Sequence, residues 1–357
     1  MIQKVRVLLV GCGHANLQVL HHLGKIKKDL NISLIVISDV LEITYSGMLP
    51  GYLMGIYQHD EFHFNLVSIC QKYNVELICD AVLNIDFRNQ EVLTLNGKKI
   101  SYDYCSINIG SVPRSIHQGT PPYNLIYVKP ISPFIKKMSD IKSTLPEKPI
   151  IFILGGGAAG FEIAVAASIL FPLAKLGIVS GGDGLLQGQN KLTRRLAKKI
   201  LEERNIQLFD GLTAQSEGDG LKLSNGKLFN YDLALVAVSA SPVHQVQSQE
   251  FFSVNSFLQV EGFSKVFAAG DCSYFKDRPL PKAGVFAVRE GLIVAQNIER
   301  SLKFKALKRY RPQKRYLVLM LCGIKEVILS WGPLAFKSRW FWYLKNMIDR
   351  RFMKKFQ

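Results

Sequence analysis

This chain of 357 residues is short of several things, and each shortage excludes something. No apolar run approaches 18 residues, so a membrane-spanning helix is not expected. Lys4 and Arg6 stand ahead of an apolar stretch, as in a signal peptide. That stretch is broken by Gly-Cys-Gly-His and has no small-residue cleavage site, so it reads as a strand. The six cysteines, at 12, 70, 79, 105, 272 and 322, lack paired spacing. Most fall inside apolar runs or glycine motifs, the pattern of buried, reduced thiols in a cytoplasmic protein. No metal site is assigned. Acids are scarce at the C-terminal end: residues 301–357 hold fifteen Lys/Arg against Glu326 and Asp349, which leaves +13 of the chain's +17 there. Apolar residues are not scarce, at 48%, so each of two domains can bury a core.

What is present is organised around residues 149–164. Ile150 to Leu154 has the length and β-branched content of a buried parallel strand. It runs into Gly155-x-Gly157-x-x-Gly160 and then a helical pattern of apolar residues. The first glycine permits the tight turn, the second lets backbone approach a pyrophosphate, and the third lets helix pack on strand. The phosphates then meet the free N–H groups and positive end of that helix. A second copy opens the chain: Val5 to Val10, then Gly11-Cys12-Gly13-His14-Ala15-Asn16, with Asn16 in place of the third glycine. Two fingerprints imply two dinucleotide units, one holding FAD and one accepting NAD(P)H.

Between them, Ile32 to Ile37 reads as a second parallel strand, ending in Ser38-Asp39 where an acid commonly binds ribose. Tyr45 to Leu53 is a glycine- and proline-punctuated entry to a short helix. Tyr73–Asp86, Val92–Leu95 and Lys99–Ile109 read as strands, with Asn96-Gly97 a hairpin turn. The second unit continues with a strand near Lys175–Val179, a helix over Asn190–Arg204 and a strand over Asp232–Val238. Its ribose acid is missing again, Ser180-Gly181-Gly182 standing there, so NADH and NADPH are not distinguished. Lys265–Cys272 and a helix over Val285–Ser301 belong with the first unit. The fold class is therefore α/β, with two Rossmann-like dinucleotide-binding domains, the second inserted in the first. FAD takes 1–121 and 259–304, NAD(P)H takes 122–258, and 305–357 is a basic amphipathic tail.

The fingerprint pair with Ala268-Ala269-Gly270-Asp271 resembles the pyridine nucleotide–disulfide oxidoreductase superfamily over roughly residues 5–305. Within it, Tyr45–Gly51, Pro281–Glu290 and Ile348–Met353 resemble NADH dehydrogenase-like flavoproteins, including those fused to selenide, water dikinase. The resemblance implies that Gly11, Gly13 and His14 line the FAD pyrophosphate. It places Asp271 on the ribityl chain and Lys282, Ala283 and Gly284 near the flavin ring. Ala15, Ser38, Asp39, Ser46, Gly47, Gly110 and Gly270 complete the FAD set. Gly155, Gly157 and Gly160 hold NAD(P)H, and Glu162 faces the nicotinamide–flavin stack. Lys282 and the N-terminus of the Val285–Ser301 helix would stabilise negative charge on the flavin. Glu162 and Lys282 are thus the expected catalytic pair.

Two departures narrow the chemistry. Tyr45 to Tyr57 contains no cysteine, which argues against a dithiol mechanism. Gly284, Arg289 and Glu290 stand where type II NADH dehydrogenases carry glutamines on the helix approaching quinone. The tail, 334–356, reads as one basic amphipathic helix with Phe341, Leu344, Ile348, Phe352 and Phe356 at helical spacing. Such a pattern suits an anionic membrane surface or docking on the body. Both hold together if Trp340 and Trp342 turn inward and the basic face outward. The expected activity is FAD-dependent hydride transfer from NAD(P)H to an acceptor, a quinone first. A sulfur or selenium species is the second choice, and a flavin-bearing nucleic-acid binder the third, with no nucleic acid expected. A cytoplasmic enzyme, peripheral on the inner face of the plasma membrane, fits, and a homodimer is compatible.

Overall fold

The apolar runs ahead of the two fingerprints each become the centre of a parallel sheet. A computed structural model describes residues 4–356 apart from 183, 219, 244, 245 and 247–249. β1 (Val5–Val10), β2 (Ile32–Ile37), β3 (Glu76–Ile78) and β4 (Tyr104–Ile107) enter the first sheet. β5 (Leu125–Tyr127), β6 (Ile150–Leu154), β7 (Lys175–Ser180), β8 (Ile206–Asp210) and β9 (Leu233–Val236) form the second, in the order β5-β9-β6-β7-β8. The chain then returns to the first sheet as β10 (Val266–Ala268), which pairs parallel to β4 and completes the order β10-β4-β1-β2-β3. The second unit is therefore inserted in the first. Val7 to Val10 and Ile151 to Leu154 are buried, as parallel strands covered on both faces must be.

Helix α1 (His14–Ile26) leaves β1, and α2 (Leu49–Leu53) follows the segment at Tyr45. Helix α3 (Ala158–Leu170) leaves β6, and α4 (Gly284–Leu302) follows β10. Helices α1 and α4 cross closely because Gly291 has no side chain: a Cβ there would come 2.2 Å from the carbonyl oxygen of Ala15.

Three local expectations are corrected. Tyr73 closes the helix Leu66–Lys72, and the predicted long strand is two short ones, β3 and Val82–Asp86. Lys99–Ile109 is also two strands, Lys99–Ser101 in an antiparallel ribbon and β4 in the parallel sheet. The tail is not one helix. It forms a meander, β11 (Val318–Gly323), β12 (Glu326–Trp331) and β13 (Leu334–Ser338), followed by α5 (Trp340–Lys354). The helical periodicity had overrun a strand whose alternate residues Ala335 (buried) and Leu334 and Phe336 (exposed) follow a period of two. No helix among the described residues is long and apolar enough to cross a membrane.

Candidate active site

The first fingerprint is built around a residue the sequence reading passed over. Asn108, at the end of β4, accepts from the amides of Ala15 (3.1 Å) and Asn16 (3.2 Å) through Oδ1. Its Nδ2 donates to the carbonyl of Ala269 (2.7 Å), so one side chain ties the start of α1 to the Gly270-Asp271 turn. Two first-turn amides are thereby capped by protein, which leaves the backbone ahead of them, Gly13 and His14, to face a ligand. Asn16 does by hydrogen bonding what a third glycine does by smallness. Its Nδ2 donates to Gly11 O (2.7 Å) and Ser106 O (3.0 Å), and its Oδ1 accepts from Ser106 Oγ (2.6 Å).

Around this turn the structure gathers His14, Asp271 and two further groups. Lys129 Nζ lies 2.9 Å from Asp271 Oδ2, and Ser111 Oγ donates to the same oxygen at 3.4 Å. Burial pushes the His14 imidazole down to about 4, Asp271 pulling the other way, so the ring is neutral near pH 7. Its Nε2 is buried with no hydrogen-bond partner among the described residues. Glu290 is buried and accepts from the Gly270 amide at 2.7 Å, and burial raises its carboxyl to about 7. Lys282 is less available than expected. Its ammonium donates to the Ser273 carbonyl and lies 4.0 Å from the centre of the Phe251 ring, with burial lowering its pKa. Ala283 caps α4, while Gly110 and Gly284 border open space. Ser38 Oγ is committed to its own turn through Val40, and Asp39 is exposed at the end of β2.

The second fingerprint follows its expected mechanics. Gly155 sits at φ +127°, where a Cβ would meet the Ala237 carbonyl at 2.2 Å, and a Cβ at Gly160 would strike Gly155 O at 1.8 Å. Gly157 opens onto space with nothing within 4 Å, the close approach left for a ligand. Ser180, in place of a ribose acid, is buried. Glu162, half-buried on α3, accepts from the Leu321 amide of β11 at 2.7 Å. Burial raises it to about 7, against the lowering influence of Lys345.

The tail is part of this site. Lys345 and Asp349 of α5 are buried and paired at 2.9 Å, not members of a solvated face. Lys345 also donates to Gly47 O (2.8 Å), and Asp349 Oδ1 accepts from Tyr45 (3.0 Å). Phe352 stacks on Tyr45 and on His14, with ring centroids 4.7 and 5.8 Å away. Thus Gly47, expected at FAD, is held by α5 through its carbonyl. Trp342 turns inward as expected, but Trp340 does not: it is 79% exposed.

The arrangement fits a dinucleotide on the first unit. It offers an unpaired buried imidazole nitrogen, an acid–base pair on the Gly270 turn, and two side-chain-free glycines bordering open space. Comparison with known proteins agrees. The model of the family described as pyridine nucleotide-disulphide oxidoreductase matches residues 5–291. The chain is 23% identical over 345 residues to ferroptosis suppressor protein 1 of Xenopus tropicalis, covering 89% of this chain and 87% of that one. It is 23% identical over 393 residues to type II NADH:quinone oxidoreductase of Staphylococcus aureus, covering 98% and 95%. Among solved structures, the sulfide:quinone oxidoreductase of Aquifex aeolicus superposes with a TM-score of 0.84 at 18% identity, covering 99% and 91%. The chain belongs to the pyridine nucleotide-disulphide oxidoreductase family and is an FAD-dependent NAD(P)H oxidoreductase.

Proposed function

We propose that this enzyme passes electrons from NAD(P)H to a quinone at an anionic membrane surface. The observation that carries the reading is the placement of the β11–β13/α5 unit. Inwardly it touches both nucleotide units, through Leu321 on Glu162 and through Asp349 and Phe352 on Tyr45. Outwardly it presents Trp331, Phe336, Trp340, Tyr343 and Met347, each more than half exposed. Trp340, Tyr343 and Met347 share one face of α5, while Trp331 and Phe336 share one face of the ribbon. Exposed aromatics among arginines and lysines suit the boundary between headgroups and acyl chains.

FAD, when bound, supplies the two-electron exchange with nicotinamide. The residues then have these roles. Gly11, Gly13, His14 and Ala15 face the FAD phosphates, Asp271 with Lys129 takes its hydroxyl-bearing chain, and Glu290 fixes the Gly270 amide. Gly155, Gly157 and Gly160 admit NAD(P)H. Residues 1–121 and 259–304 hold FAD, 122–258 take NAD(P)H, and 305–357 meet the acceptor and the membrane. Glu162 Oε1 is taken by the Leu321 N–H, so with a pKa near 7 its other oxygen can hold or release a proton beside Lys345. A quinone takes up protons on reduction, and this carboxyl is suited to deliver one. A thiol route has no support: Cys12 and Cys272 are buried, with Cys272 pushed up to about 12 by that burial.

The test is NADH oxidation with a short-chain quinone and with ferricyanide, with and without anionic vesicles, joined to vesicle flotation. Trp340→Ser with Tyr343→Ser should reduce flotation and vesicle-dependent quinone turnover several-fold while ferricyanide reduction persists. No quinone turnover under any condition overturns the acceptor. Flotation unaffected by the pair overturns the surface.

A further inference from the structure

A separate group of ligand-type side chains lies on the antiparallel ribbon beyond Tyr45. His59 opens the short 3-10 turn His59–Phe62, and His63 follows it, four residues on. Strand His63–Asn65 pairs antiparallel with Glu42–Thr44, Thr44 facing His63 and Glu42 facing Asn65. Glu42 therefore stands on the same face as His63, one diagonal step away, within reach of a long side chain. The ligand atoms of Glu42, His59 and His63 all lie within 4.8 Å of one another.

The histidines are prepared in different ways. His63 is buried, at 8% exposure, and its Nδ1 donates to the carbonyl of His59. That bond fixes the tautomer and leaves the lone pair on Nε2, the device by which proteins orient a ligating imidazole. Nε2 is itself buried and has no hydrogen-bond partner among the described residues. A buried acceptor without a partner is costly, so this atom calls for a cation or a donor. The His59 ring stacks on that of His63, centroids 3.9 Å apart and planes 17° from parallel. Glu42 and His59 are exposed and can rotate, whereas His63 is held.

We infer that Glu42, His59 and His63 form a binding site for a divalent transition metal of the Zn2+ class, with two imidazole nitrogens, one carboxylate oxygen and a fourth position for water. Nitrogen ligands select such ions over Ca2+ or Mg2+. Ligands on one tetrahedral zinc stand about 3.3 Å apart, given bonds of about 2.0–2.1 Å. Rotation of the exposed Glu42 and His59 side chains closes the difference. The ion would join the strand that leads into Tyr45 to the turn carrying Glu61, which pairs with Arg350 of α5 at 2.5 Å. It would thus brace the ribbon on which the C-terminal helix docks.

The experiment uses the untagged, FAD-loaded full chain and metal alone. Calorimetric titration with ZnCl2 should give one ion per chain, and Co2+ should produce tetrahedral ligand-field absorption to the red of the flavin band. His59→Asn and Glu42→Gln, both at exposed positions, should each weaken Zn2+ at least tenfold and abolish the Co2+ band. His117→Asn should change neither. Flavin content reports that each variant is folded. Absence of one-to-one Zn2+ binding overturns the site, as does binding that survives both substitutions unchanged.

Discussion

Tyr45 and Phe352 stack with ring centroids 4.7 Å apart and planes inclined by 27°, joining the first nucleotide unit to the last helix of the chain. The tyrosine hydroxyl reaches Asp349 at 3.0 Å on the same helix, and His14 packs against both rings. The fingerprint at the start of the chain is thereby roofed by its end.

Phe352→Ala should accordingly lower stability by about 2 kcal/mol, less than the loss typical of a fully buried phenylalanine because this one is half-buried. It should also release FAD more readily. Urea midpoints and flavin retained after gel filtration measure the two effects. Unchanged values in both would show the stack to be incidental.

Lys345→Met strands Asp349 in a buried place with only Tyr45 for a partner. Breaking a buried pair from one side should cost about 3 kcal/mol, whereas Lys345→Met with Asp349→Leu should cost clearly less than the two single changes combined. A double variant as unstable as the sum would mean that the pair has no mutual coupling.

Gly157→Val and Gly160→Val make a diagnostic contrast. A side chain at Gly157 meets nothing within 4 Å, so the variant should fold, retain FAD and lose flavin bleaching by NADH under anaerobic conditions. A side chain at Gly160 meets the Gly155 carbonyl at 1.8 Å and should prevent folding of the second unit. Normal bleaching by the Gly157 variant would remove this turn from the nucleotide site.

Asp271→Ala should yield protein depleted of FAD, since it removes the partner of Lys129 and the acid of the Gly270 turn. Absorbance of the purified chain, compared with that of Lys129→Ala, tests this. Full flavin content with unchanged affinity would exclude Asp271 from binding.

Glu290 sets a dependence on pH. Burial raises its folded pKa to about 7 from about 4.5, so between those values the native state keeps a proton that the unfolded chain has lost. Stability from this group is therefore greatest at low pH and falls as pH rises through that window. Glu290→Gln retains an acceptor for the Gly270 amide without the titration. Relative to wild type, it should gain about 2–3 kcal/mol on going from pH 5 to pH 8, read from urea midpoints. A constant difference across that range would show that Glu290 does not titrate in it.

The sequence by itself determined the nucleotide-binding framework. Strand, glycine turn and helix are consecutive, so the pattern at Gly11, Gly155, Gly157 and Gly160 was legible without tertiary knowledge. The carbonyls that exclude a side chain at Gly11 and Gly155, those of Asn108 and Ala237, nevertheless come from far along the chain. The return of the chain to its first sheet at Val266–Ala268 was legible too, because it follows a complete second unit. What only the tertiary structure decided depends on residues far apart in the chain. Asn108 serves α1 and Ala269 together, Lys129 finds Asp271, and Leu321 finds Glu162, and no local periodicity marks such pairings. The tail misled for the same reason. Lys345 and Asp349 have the i, i+4 spacing of a surface helical pair, yet the fold buries them, with the Gly47 carbonyl and the Tyr45 hydroxyl as their further partners. His59 and His63 stand four residues apart, but Glu42 comes from a neighbouring strand, so no local pattern marks the three as a set. Local sequence can specify a turn or a helix, whereas a buried charge or a ligand set is specified only when the fold brings its partners together.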